Sequence, residues 1–351
     1  MPRDIVVVAG IRSQYIKLAS LQRAIRQLDV EERFFFIDAA QHYSPSLSAQ
    51  YRNEYEINFH HSLLSDLTAT DPEARFAEIE FRLFKLLCYL PVKQVVVFGD
   101  ANTTLAAALA AKRSLKTLTH VEAGVRTGSR GLEEINRRVT DFLADHHVAS
   151  CKLDLANLCA EGHEATSVYL GDLVRDLFLL GQGGDELPKA GSDSILVTLH
   201  HDEDWEDDFL TSALIELDRI GAQVNFLAHP KMLDKARTVA SRLQRTSVRE
   251  STDHKTLVAL MREARFVVTD SGALQRESHY LGRRVLVVQR LPFWRSLIDC
   301  GANIACEPTL SSLAHGLKVM KSLEGAPLLQ ISDFGEPPVG PKIVNWLLAA
   351  S

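Results

Sequence analysis

Apolar residues come along this chain in short runs, and the runs are rich in β-branched and aromatic types. They are IVVVA (5–9), FFFI (34–37), VVVF (95–98), TLTH (117–120), ILVT (195–198), VNFL (224–227), FVVT (266–269) and VLVV (285–288). Runs without alternation predict strands buried on both faces, and therefore parallel sheets covered by helices. The intervals between runs are long enough for helices, so right-handed βαβ crossovers are predicted in both halves. GLEEINRRVTDFLADHH (131–147) reads as one such helix, with Glu133 and Arg137 at i,i+4 on a shared face.

The least patterned stretch is GQGGDELPKAGSDS (181–194), a glycine-rich linker, after which ILVT opens a fresh sheet. At 351 residues the chain exceeds one ordinary core. The prediction is α/β with two Rossmann-like domains: an N-terminal one at 1–172 and a C-terminal one at 173–340. The apolar helix within 341–351 follows EPPVGP and packs back on the first domain.

Composition narrows the function. Hydrophobic content of 46% with 24% charged residues is that of a soluble globular protein. A net charge of −6 argues against a nucleic-acid surface. No run reaches the roughly 18 apolar residues of a membrane span. The start, MPRDIVVVAG, reads as a first strand and not as a signal peptide. Five cysteines with no C-x-x-C pair argue against a disulfide framework or zinc ribbon, and a reduced, cytoplasmic protein is expected. Cys88 and Cys159, in helical segments, read as small buried hydrophobes.

In open α/β sheets, ligands bind beyond the carboxyl ends of the strands. Those ends carry Arg12 and Lys17, Gln41 and His42, Asp100, and Glu122 in the first half. In the second half they carry His200 and His201, His229, and Asp270-Ser271-Gly272. A helix cap explains any one of these, but the repetition points to a site. If the domains face each other, carboxylates line one wall of a cleft and histidines the other. Asp100, Glu122 and Glu133 are candidates for general acid/base work, since crowded carboxylates acquire separated pKa values. DSGALQRES (270–278) reads as a strand end turning into a helix. There, free N–H groups at Ser271 and Gly272 suit a diphosphate, and Glu277 a ribose diol. TLHHDEDWEDD (198–208) reads as a strand-end histidine followed by a solvated acidic helix start, not a metal site.

The motifs GIRSQYIK, AQHYSPSLS, VFGDANTTLAAALAA, HVEAGVRTG, EEINRRVTD, VTLHHDED, LAHPKM and TDSGALQRES occur in this order. Together they resemble the non-hydrolysing UDP-N-acetylglucosamine 2-epimerases over residues 4–305. EEINR, TLH and CGAN look closest to the UDP-2,3-diacetamido-glucuronic acid 2-epimerase branch. The resemblance implies a GT-B fold, a nucleotide-sugar substrate, no cofactor or metal, a homodimer and a place in polysaccharide biosynthesis. It implies inversion at C2 by elimination of the nucleotide to a glycal and re-addition. Asp100, Glu122, Glu133 and His200 are then the expected catalytic residues. Arg12, Lys17, Gln41, His42, Arg137, His229, Ser271, Gly272, Ala273, Glu277, Trp294 and Arg295 are expected to bind substrate.

The sequence departs from the family pattern mainly on the nucleotide side. G-x-R-P becomes Gly10-Ile11-Arg12-Ser13, and the second glycine of D-S-G-G is Ala273. The loop between Gly128 and Glu133 is shorter than in the N-acetylglucosamine enzymes. The acidic T-E-x-x-E segment is Pro292-Phe293-Trp294-Arg295-Ser296. Phe293 or Trp294 is therefore expected to stack on base or sugar, with Arg295 meeting a substrate carboxylate. The alternatives are a hydrolysing 2-epimerase, a GT-B glycosyltransferase and a nucleotide-sugar binder without turnover.

Overall fold

A computed structural model describes residues 3–41, 52–65, 67–179, 193–200, 205, 208–250, 252–328 and 332–350. Strands and helices alternate from the start. The order is β1 (Ile5–Ala9), α1 (Arg12–Gln27), β2 (Phe34–Asp38), β3 (His61–Ser62), α2 (Pro72–Tyr89), β4 (Gln94–Phe98) and α3 (Asn102–Arg113). Then follow β5 (Thr117–Ala123), α4 (Leu132–Leu143), β6 (His146–Ala149), α5 (Lys152–Ala160), β7 (Ser167–Tyr169) and α6 (Leu173–Leu179).

The strands form a parallel sheet of order β3-β2-β1-β4-β5-β6-β7. Every residue of the central strands β1 and β4 is buried, which is why their sequences do not alternate. On α3, Ala106, Ala107, Ala108, Ala110 and Ala111 are fully buried, and such small side chains let the helix lie close against its neighbours. Pro72 opens α2 behind Asp71, whose carboxylate accepts from the N–H groups of Glu73 and Ala74.

The second half repeats the plan with β8 (Ser194–Thr198), α7 (Phe209–Asp218), β9 (Gln223–Ala228), α8 (Leu233–Ala240), β10 (Thr246–Glu250) and α9 (His254–Glu263). It continues through β11 (Phe266–Thr269), α10 (Gly272–Tyr280), β12 (Arg284–Val288), α11 (Arg295–Asp299), β13 (Ile304–Cys306) and α12 (Leu310–Ser322). Its sheet order is β10-β9-β8-β11-β12-β13, and Val197, Phe226, Val268 and Leu286 join Leu214 and Leu313 in one core.

The last helix, α13 (Gly340–Ala350), returns to the first unit. Asp176 of α6 accepts from the N–H groups of Val339 at 2.8 Å and Gly340 at 2.6 Å, anchoring its start. A Cβ on Gly340 would lie 2.8 Å from that of Ala24, so glycine permits the close crossing of α13 over α1. The compact units are Met1–Gly181 with Ser332–Ser351, and Gln182–Ile331; the sequence reading puts its boundaries after 172 and 340. Helix α6 goes with the first unit because its Asp176 holds the returning chain.

All eight predicted strands are present. β3, β6, β7, β10 and β13 lie outside the predicted set; they fall towards the sheet edges, where TSVRE of β10 is only half-buried or exposed. The helix predicted over 131–147 ends at Leu143, and His146 and His147 begin β6. The expectation for two cysteines is corrected as well: Cys88 is exposed and Cys159 half-buried. The buried thiols are those of Cys151 and Cys306, and burial pushes Cys306 up to about 12. Among the described residues no helix is long and apolar enough to cross a membrane. Replacing Asp176 by Ala is expected to lower the unfolding free energy by about 1–3 kcal/mol in urea titrations, because buried N–H groups lose their acceptor.

Candidate active site

In the first unit Lys17, Asp100, Glu122 and Arg137 gather at the carboxyl ends of β4 and β5. Glu122 has a left-handed backbone, φ 69°, at a register shift between Val121 and Ala123 against β6. Such an irregularity re-aims a side chain that a regular strand would send elsewhere. The carboxylate accepts from Lys17 Nζ, on α1, at 2.6 Å, and both side chains are almost fully buried. Gly99, φ 62°, lies against this ion pair: a Cβ there would be 3.2 Å from both Glu122 Oε1 and Lys17 Nζ.

The next residue, Asp100, takes a hydrogen bond from Arg137, which also donates to Glu134 at 2.6 Å. Asn136 donates to the Asp100 carbonyl at 3.0 Å and to Asn102 at 2.9 Å, tying α4 to the loop that carries Asp100. Glu134 also accepts from Thr127, through N–H at 3.1 Å and hydroxyl at 3.0 Å. Burial works against its charge, but Thr127, Arg138 and Arg137 hold the carboxyl below its usual range. Glu133, expected beside Arg137, is instead exposed in the first turn of α4. Its neighbour Glu134 holds the inward place.

Beneath these groups, His120 bridges Asp141 (Nδ1 to Oδ1, 2.6 Å) and the Gly99 carbonyl (Nε2, 2.7 Å). Asp141 also accepts from the Gly124 N–H at 3.1 Å and faces Arg126 at 2.8 Å. Burial opposes its ionisation, yet His120 and Arg126 outweigh it and hold the carboxyl down to about 2. Sequence reasoning missed Glu134, Asn136, His120 and Asp141. A signal was available, since Glu134, Arg137 and Asp141 recur at i, i+3 and i+7 and are all buried. The opposite stripe of α4 leaves Leu132, Ile135, Val139 and Phe142 exposed. This helix turns its charges inward and its apolar residues outward.

The remaining expected residues of this unit fall nearby. Arg12 opens α1 and is half-buried. Gln41 accepts from the N–H of Thr103 at 2.8 Å and its hydroxyl at 2.6 Å, so its carbonyl serves the start of α3. His42 lies outside the described residues.

In the second unit, the half-exposed His200 meets Asp270 through its backbone N–H at 2.7 Å and Nδ1 at 2.9 Å. The rings of His200 and His229 lie 6.3 Å apart. His201 and most of the acidic run after it lie outside the described residues. Ser271, Gly272 and Ala273 form the half-buried start of α10. Glu277 is buried, with Oε2 at 3.1 Å from Nε2 of His254. Trp294 departs from expectation: it is 3% exposed, donates Nε1–H to the Gly272 carbonyl at 2.7 Å and lies under the Arg276 guanidinium at 4.5 Å. The structure therefore does not bring its ring to an accessible face. Phe293 is the aromatic beside the start of α10, where a Cβ on Gly272 would approach its ring to 3.1 Å. Arg295 is exposed at the first position of α11. Among the described residues, no His/Cys/Asp/Glu group could hold a metal ion.

Two parallel α/β units with these strand-end groups define a GT-B type of architecture, and solved structures agree. The Neisseria meningitidis UDP-GlcNAc 2-epimerase, bound to UDP-GlcNAc, superposes with a TM-score of 0.87 at 22% identity over 99% of this chain and 100% of that one. For the Methanocaldococcus jannaschii UDP-GlcNAc 2-epimerase, in complex with UDP-GlcNAc and UDP, the values are 0.85 and 24%, over 99% of each chain. In sequence, the Pseudomonas aeruginosa UDP-2,3-diacetamido-2,3-dideoxy-D-glucuronate 2-epimerase is 28% identical over 86% of this chain and 87% of its own length. The family model for UDP-N-acetylglucosamine 2-epimerase matches residues 26–348, and the chain belongs to that family.

Because the folded-state value of Asp141, about 2, lies below the ordinary carboxylate value, its stabilisation is complete above about pH 4 and lost as pH falls through about 2. Asp141→Asn is expected to cost about 3–5 kcal/mol at pH 7, the scale for breaking a buried charge cluster. In denaturant titrations, the difference from the unsubstituted protein should narrow as pH falls from about 4 towards about 2.

Proposed function

We propose that this protein is a nucleotide-sugar 2-epimerase, an isomerase that inverts C2 of a UDP-linked 2-acetamido sugar. The observation that carries the reading is the strand-end cluster of Lys17–Glu122 and Asp100–Arg137, in a chain of this family. Inversion at C2 requires a proton to leave one face and return to the other, with the nucleotide departing from C1 between the two events. Glu122 and Asp100 are carboxylates pinned by cations, so their oxygens are fixed relative to a bound sugar. Glu133, on the first turn of α4, is free of that inward network and supplies a third acid/base group. The start of α10 and His200 would hold the departing diphosphate. Re-addition of UDP to the glycal, rather than water, separates this reading from hydrolysis.

Family likeness and a chain without a membrane-crossing helix among its described residues support a cytoplasmic enzyme. A homodimer is supported by α4. Its exposed Leu132, Ile135, Val139 and Phe142 form one stripe, and a two-fold axis can lay that stripe against its copy. Arg138, on the same helix, is paired with Glu134 at 3.1 Å and with Glu161 at 3.6 Å, so it adds no unbalanced charge to repel the copy.

Proton NMR in D2O with UDP-linked 2-acetamido sugars, uronic acids included, tests the reaction. Deuterium should enter C2 as a second epimer grows in; release of free sugar and UDP would instead mean hydrolysis, and an unchanged sugar would mean binding alone. Asp100→Asn, Glu122→Gln and Glu133→Gln should each lower turnover by at least about a hundredfold. Near-normal rates in all three would sink the assignment. For the dimer, Ile135→Asp with Phe142→Asp should give the monomer mass by light scattering, while the unsubstituted chain gives twice that mass.

A further inference from the structure

From sequence, Asp270 is only part of a strand-end turn with no role of its own, yet in the structure it makes two bonds to His200. Its Oδ2 accepts from the His200 backbone N–H at 2.7 Å, and its Oδ1 lies 2.9 Å from Nδ1. The Asp270 side chain is 9% exposed, whereas that of His200 is 52% exposed. A buried carboxylate thus grips both the backbone and the ring of a histidine whose other edge is accessible.

The backbone that carries the carboxylate is itself held by hydrogen bonds. Thr198 and Thr269, at the ends of β8 and β11, share a hydroxyl bond of 2.7 Å, and Thr269 Oγ1 accepts from the Ser271 N–H at 3.0 Å. Gln289 donates to the Asp270 carbonyl. These contacts hold the backbone at and beside Asp270, so the residue that orients the His200 ring is anchored at the end of the sheet.

We propose that Asp270 is a positioning residue for diphosphate binding: it holds His200 with Nδ1–H turned inward, so that Nε2 faces the ligand. This rests on the nucleotide-sugar reading given above. An ionised carboxylate only accepts, so Nδ1 must carry the proton and Nε2 is left for the ligand. A lone carboxylate at the start of α10 would oppose an anion drawn there by the helix end. Bonded to the Nδ1–H and to the backbone N–H of His200 it no longer does, and Nε2 is left to share a proton with a phosphate oxygen. Among the described residues, the titratable groups facing the ring are Asp270 and, beyond β9, His229. The arrangement is the one used where a second group fixes the tautomer of a functional histidine.

The test combines a spectroscopic signature with a double-mutant cycle. Nitrogen-15 NMR of the full chain should show neutral His200 as the Nδ1–H tautomer, and Asp270→Asn should abolish that preference. Asparagine offers one acceptor oxygen where two donors need one each. UDP affinity, measured by calorimetry, should fall about tenfold in Asp270→Asn, the scale of one hydrogen bond to a charged group. It should fall by less than about twofold when the same change is made on a His200→Asn background, because the two residues act as one. An Nε2–H tautomer in the unsubstituted protein overturns the proposal, and so does an equal loss of affinity on both backgrounds. No UDP binding at all overturns it together with the nucleotide-sugar reading. UDP binding with the predicted coupling, but no deuterium exchange at C2, upholds it and removes the epimerase assignment alone.

Discussion

The first unit is organised around the buried pair of Lys17 and Glu122. Moving two charges out of water costs several kcal/mol per ion, and a close contact recovers that cost only with good geometry. Here the contact is 2.6 Å, and the backbone of Glu122 adopts a left-handed conformation that an ordinary strand residue avoids. Well-packed apolar residues would serve stability at least as well. Two costs at one position, desolvation and backbone strain, are the signature of a place kept for chemistry. Gly99 belongs to the same constraint, because any side chain there would crowd both charged atoms. From this pair the neighbours follow: the chain leaves Gly99 into Asp100, Arg137 neutralises Asp100, and Glu134 balances Arg137.

That sequence of charges explains why α4 is built in reverse. A helix on the outside of an α/β unit ordinarily buries an apolar stripe. α4 buries Glu134, Asn136, Arg137 and Asp141, and exposes Leu132, Ile135, Val139 and Phe142. The inward face remains stable because its groups are paired, with Asp141 alone serving His120, Arg126 and the Gly124 N–H. The outward face then has no partner within its own unit, which makes a second copy the natural cover. Site chemistry and the proposed assembly are in this sense two consequences of one helix.

How much of this was legible in the sequence depends on the kind of signal. Strands near the middle of each sheet announce themselves as unbroken apolar runs because both of their faces are dry. Strands such as TSVRE at an edge carry polar residues and read as loops. The strand-end rule found Asp100, Glu122 and His200, since position relative to a sheet is recoverable from periodicity. Choosing between Glu133 and Glu134 is a different problem. They differ by one step of 100° around a helix, and the apolar stripe that normally reveals the inward side points outward here. Asp270 was read only as part of a strand-end turn, because its partnership with His200 joins two segments far apart in the chain. The carboxylates of the site were thus visible as types in sequence, while the network that orients them was not.

The altered 292–296 segment shows the same limit on the nucleotide side. By sequence, an aromatic pair replacing glutamates suggests a new surface for ligand. In the structure Trp294 is spent internally, its N–H on the Gly272 carbonyl and its ring face beneath Arg276. An indole with a satisfied N–H and a stacked cation is a packing unit, worth of order 1 kcal/mol from the cation–π contact. Its effect on a ligand is therefore indirect: it fixes the backbone at the start of α10 and sets Phe293 beside Gly272. Segment 292–296 carries no acidic side chain and Arg276 lies over Trp294, so the surroundings of that helix start are less negative than two glutamates would make them. Charge around that helix start is thus arranged by packing within this chain: the Asp270 carboxylate is occupied by His200, and the Arg276 guanidinium lies over Trp294.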